Sequence, residues 1–176
     1  MNRKGSVVSF IVQNIAIEWR ETARFLSGEE RVKIKDYSVA FWADTSVPRS
    51  QMAHGFLQSF NNDIEVHSAG TKPADKVNPK AIEVMNEVGI DLSNHRPKNV
   101  EIYLNDEWDY VITVCGGANE SCPRFIGKVG KRLHIGFDDP SDAIGTDEYV
   151  MKEFRRVRDE IREKFKEIYT SYCLQK

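Results

Sequence analysis

The stretch from Val39 to Phe56, VAFWADTSVPRSQMAHGF, constrains the fold of this chain more than any other. It opens on a short apolar run suited to a buried strand and passes through a polar turn. It then enters a helical pattern from Arg49, in which Met52, Phe56, Leu57 and Phe60 share one face. A strand that turns directly into a helix aims its loop amides and the helix N-terminus at one point, where partial positive charge collects. Such a turn is an anion cradle. Arg49, at the end of the turn, adds a planar, permanently charged guanidinium whose paired N–H groups suit a tetrahedral oxyanion.

The rest of the chain alternates strands and helices. Ile64 to Ser68 is a short alternating strand, and Asn78 with Pro79 forms a helix start. That helix carries Ile82, Val84, Met85 and Val88 and stops at Gly89. Trp108 to Val114 and Arg132 to Ile135 are two further strands. Val150, Phe154, Val157, Ile161, Phe165, Ile168 and Tyr172 mark a long amphipathic final helix. This alternation predicts an α/β fold: a three-layer α-β-α domain over residues 37–176, with a four-stranded parallel sheet. Residues 1–36 read as an N-terminal extension with an amphipathic helix through Ile15, Trp19, Ala23 and Leu26, ending near Gly28. The Ser6–Val12 run is too short to span a bilayer and lacks a small-residue cleavage site, so export is not expected.

Composition narrows the partners. Lys and Arg number 25 against 27 Asp and Glu, a balance that points to neither nucleic acid nor an acidic partner. Three cysteines do not make a disulfide framework and fit a reducing compartment, so a cytoplasmic location is expected. Cys115 ends the third strand, and Cys122 follows seven residues later in a Gly-containing loop. The residues alone leave these open as a redox pair or as two ordinary thiols. Zinc is not expected, because the pair has no convincing His partners. No metal and no cofactor are expected. Cys173 reads as incidental.

Five strings occur in order and in register: Arg49-Ser50-Gln51-Met52-Ala53, Ser68-Ala69-Gly70-Thr71, Val77-Asn78-Pro79-Lys80-Ala81, Gly89-Ile90-Asp91-Leu92-Ser93 and Gly136-Phe137-Asp138-Asp139-Pro140. From Tyr37 to Glu167 the chain resembles the thioredoxin-coupled arsenate reductases, which share the fold of the low-molecular-weight protein tyrosine phosphatases. The resemblance implies an oxyanion site lined by Ser46, Arg49 and Ser50, with Asp139 as the general acid. It also implies Cys115 and Cys122 as a redox pair that thioredoxin reduces.

The same resemblance exposes a departure. The family signature is Cys, five residues, Arg, then Ser or Thr, and counting back from Arg49 puts Ala43 at the nucleophile position. A methyl group cannot attack arsenate or a phosphoester. Asp44 sets a carboxylate beside the anion site, Thr45 stands where the family has Gly, and Pro48 removes an N–H donor. Ser46 replaces a loop-shaping Asn, and His54 replaces a Glu near the family's cation site, which weakens the case for that ion. The expectation is a retained fold with impaired catalysis that keeps binding for arsenate, phosphate or sulfate, or for a protein partner. The alternative is an active arsenate reductase or phosphatase whose nucleophile has moved to Cys115 or Cys122. Neither nucleic acid nor a membrane is expected as a partner.

Overall fold

The computed structural model of the chain describes residues 38–43, 47–61, 63–116 and 127–173. The chain divides into two units, Met1–Lys35 and Asp36–Lys176, and the described residues all belong to the second. The helix expected within residues 1–36, the turn residues Asp44, Thr45 and Ser46, and Cys122 lie outside the described residues.

Four parallel strands form one sheet in the order β2-β1-β3-β4. They are β1 (Ser38–Ala43), β2 (Glu65–Gly70), β3 (Trp108–Thr113) and β4 (Val129–His134). β1 is central, with Ala40 opposite His67 on one side and Val111 on the other. Parallel neighbours need crossovers rather than hairpins, which is why helices separate them in sequence. β4 begins three residues before the expected Arg132 because its pairing with β3 starts at Trp108↔Val129. As an outer strand it buries little, so its sequence carries no clear apolar alternation to mark its start.

Helix α1 (Val47–Phe60) starts two residues before Arg49. Pro48 fits its first turn, where an N–H has no intrahelical acceptor anyway. Helix α2 (Pro79–Asn86) is capped by the Asn78 side chain, whose oxygen accepts from the Lys80 amide at 2.9 Å. Its end is enforced by Gly89, with φ of 80°, a left-handed conformation that costs glycine least. Helix α3 (Asp147–Ile168) is capped by Thr146 and carries Asp147 and Glu148 in its first turn, where carboxylates complement the helix dipole. A π-helical turn, Tyr169–Cys173, continues it.

The larger core joins all three helices to the sheet: Met52, Phe56 and Leu57 of α1, Val84 and Met85 of α2, and Phe154, Val157, Ile161 and Phe165 of α3 close over Val66 and Ile112. A smaller cluster of Ala69, Val100, Tyr103, Trp108 and Val111 gathers around the 3-10 turn Val100–Tyr103. Val111 and Ile112 are neighbours in β3 yet belong to different clusters, so the two cores lie on opposite faces of the sheet. Arg158 fastens α3 to α2, donating from Nη1 to the Val84 carbonyl and to Glu87, each at 2.9 Å.

Candidate functional site

The candidate site lies where β1 runs into α1. Ala43 is the last residue of β1, and Arg49 and Ser50 fall in the opening turns of α1. Both are buried, Arg49 to 1% exposure. A charge is driven that deep only when partners compensate it. Arg49 Nη1 donates to the Phe137 carbonyl at 2.6 Å, and Nη2 donates to Asp139 Oδ2 at 3.3 Å. The expected anchor and the expected acid therefore meet, although ninety residues separate them in sequence.

Asp139 is fixed from its other side. Its Oδ1 accepts from the Ser141 amide at 2.9 Å and so caps the 3-10 turn Pro140–Asp142. The turn-forming side chain is thus the one expected to be the acid. Asp138, its neighbour, is exposed and pairs instead with Arg156 Nη2 at 3.1 Å. Asn78, at the start of α2, reaches Ser141 Oγ at 3.4 Å and ties the acid loop to that helix. A cleft of about 970 Å³ opens beside Asp139, walled by Pro48, Val77, Pro79, Ile82 and Arg96.

Cys115 follows β3, is buried, and is disulfide-bonded. Its backbone and that of Gly116 lie against the Gly136–Phe137 segment. The structure thus brings Arg49, Ser50, Asp139 and Cys115 to the same end of the sheet, the C-terminal ends of β1 and β3, as expected for ligand sites in open α/β sheets.

Behind the anchor runs a polar network that the sequence did not signal. His95 Nδ1 lies 2.8 Å from Gln51 Oε1, Gln51 Nε2 donates to Ser68 Oγ at 3.1 Å, and Ser68 Oγ lies 3.0 Å from His54 Nδ1. One proton order satisfies every member: His95 donates to Gln51, Gln51 to Ser68, and the serine hydroxyl to an unprotonated His54 nitrogen. Burial, followed by the neighbouring His95, pushes the pKa of His54 down to about 3, while a hydrogen bond with Gln58 opposes this in part. Burial also lowers His95. His54 therefore packs as a neutral hydrogen-bonding group. Among the described residues no group of three or more His, Cys, Asp or Glu is placed to hold a metal ion. No helix among them is long and apolar enough to cross a membrane.

The chain is similar to known proteins in sequence and fold. The profile of the low molecular weight phosphotyrosine protein phosphatase family matches residues 38–175. An arsenate reductase of Shouchella clausii is 47% identical over 119 residues, covering 67% of this chain and 84% of the relative. The solved structure of an arsenate reductase in its phosphate-binding state superposes with a TM-score of 0.61 at 28% identity, covering 77% of this chain and 98% of that one. A thioredoxin-dependent arsenate reductase of Corynebacterium glutamicum shares the fold, with a TM-score of 0.52 at 23% identity over 94% of this chain and 77% of its own.

Proposed function

Because the chain belongs to the low molecular weight phosphotyrosine protein phosphatase family and is arsenate reductase-like, we propose that it binds arsenate, phosphate or sulfate at Arg49 without performing the family's nucleophilic step. The carrying observation is the buried Arg49 guanidinium held between the Phe137 carbonyl and Asp139. That geometry orients a two-pronged donor at the end of a strand whose last residue, Ala43, offers no nucleophile. At 3.3 Å the Arg49–Asp139 contact is longer than a tight charge-assisted bond, so an incoming oxyanion competes on good terms for the guanidinium. In this reading Asp139, paired with Arg49, holds the general-acid position that the resemblance implies.

Ser46 and Ser50 complete the oxyanion lining in this reading, residues 1–36 form an extension to the 37–176 domain, and the protein works in the cytoplasm. Thioredoxin is the proposed donor of two electrons and two protons to the disulfide at Cys115, with Cys122 as its other half; both sulfurs leave as thiols while the donor's dithiol becomes a disulfide.

The test is arsenate-dependent NADPH oxidation coupled through thioredoxin and thioredoxin reductase, with inorganic phosphate titration alongside. The unaltered protein binds phosphate saturably, Arg49→Ala weakens this tenfold or more, and only Ala43→Cys turns over arsenate. Turnover by the unaltered protein would overturn the proposal. It would favour a second reading, in which Cys115 is the moved nucleophile: its neighbour Gly116 already lies against Arg49. In that case Cys115→Ser abolishes the activity.

A further inference from the structure

The Arg49 anchor is completed by a residue outside the strand–turn–helix. Cys115 and Gly116 leave the end of β3 and run directly over the acid loop. A Cβ placed on Gly116 would stand 2.0 Å from the Phe137 carbonyl oxygen, 2.7 Å from its carbonyl carbon and 3.1 Å from Arg49 Nη1. Two of those three atoms are backbone, so no side-chain rotation relieves the overlap. The oxygen is the same one that accepts the 2.6 Å bond from Arg49 Nη1. From the other loop, a Cβ on Gly136 would stand 3.1 Å from the Cys115 carbonyl oxygen and 3.4 Å from the Gly116 Cα. The two segments thus meet glycine to glycine: at Gly116 the approach is closer than a side chain permits, and at Gly136 the fit is tight.

Adding one methyl at Gly116 must displace the Phe137 peptide, the 115–116 backbone, or both. A shift of the Phe137 peptide moves the acceptor that fixes the guanidinium, whereas a shift of residues 115–116 alone leaves it in place, and the Arg49 resonance distinguishes the two. We infer that Gly116 is a positioning residue for the oxyanion anchor: its bare Cα admits the Phe137 carbonyl to the place from which it orients Arg49. The functional meaning of this inference rests on the oxyanion reading above, but the orientation of Arg49 does not.

The experiment compares the full chain with Gly116→Ala, Arg49→Lys and the double variant. Inorganic phosphate is titrated calorimetrically, and the Arg49 Nε resonance is followed by nitrogen NMR without anion, identified by its loss in Arg49→Lys. Expected for Gly116→Ala are a chain that still folds cooperatively with a lowered melting midpoint, a displaced Arg49 resonance, and phosphate affinity weakened about tenfold. In the Arg49→Lys background the same substitution weakens phosphate no further, because the group it acts through is gone. An unmoved Arg49 resonance overturns the inference, as does an equal loss of affinity in both backgrounds. A Gly116→Ala chain that does not fold also overturns it, since the glycine would then serve the fold as a whole. If the unaltered protein binds no phosphate yet the resonance moves in Gly116→Ala, the oxyanion reading falls and the positioning role stands.

Discussion

At the scale of single residues, the site divides into groups whose chemistry announces them and groups that only geometry reveals. Arg49 stands out in the sequence as a guanidinium closing a strand–helix turn, and Asp139 only through the resemblance, since an Asp before Pro forms turns in many loops; the fold brings the two side chains together. Gln51, Ser68 and His95 are ordinary polar residues until the fold lines them up behind the anchor. His54 carries the sharpest consequence. Above about pH 6.5 it is neutral whether the chain is folded or not. Below that, the unfolded chain takes up a proton that the folded protein refuses until about pH 3. Stability therefore falls with pH across this window, by roughly 1.4 kcal/mol per unit. Between pH 8 and pH 5 the loss from His54 is about 2 kcal/mol, and His95, lowered in the same direction, adds to it. Urea midpoints of the unaltered protein and His54→Gln at both pH values check this: the variant loses much less stability on acidification. An identical loss would show that the acid sensitivity arises elsewhere.

At the scale of elements, the helices were readable where end signals and apolar periodicity agreed. Asn78, Pro79 and Gly89 bracket α2 as their chemistry requires, and the apolar series from Val150 locates α3. Boundaries slipped where pairing rather than residue type decides them, as with β2, which runs to Gly70 because Gly70 pairs with Ala43. Two substitutions rank the forces holding these elements. Asn78→Ala removes the α2 cap and costs about 1 kcal/mol, with the link to Ser141 lost as well. Phe154→Ala empties a fully buried position between α3 and the sheet and costs about 3–5 kcal/mol. Chemical denaturation of both variants measures the order, and a larger loss for Asn78→Ala would mean that capping outweighs core packing here.

At the scale of the whole molecule, the family fold and its altered site sit on one scaffold, so the fate of activity is separable from the fate of structure. If only the nucleophile is missing, Ala43→Cys gains arsenate turnover while its melting midpoint stays within a few degrees of the unaltered protein. Stable folding without turnover would place the obstacle in the other altered turn residues, Asp44 and Pro48. A chain begun at Asp36 is expected to bind phosphate within twofold of the full chain, and a larger change would give residues 1–35 a part in the site. The position of β1 has one more consequence. Its apolar segment, SVAFWA, is the first strand of the sheet to leave the ribosome, yet it forms pairs along both edges. The first partner arrives with Glu65, but Val39 has no second neighbour until Tyr110 has been made. At synthesis rates of roughly 5–20 residues per second, the nascent chain carries this sticky edge for several seconds. The segment that leads into the proposed anion site is thus also an open strand edge during synthesis, of the kind another chain can pair with.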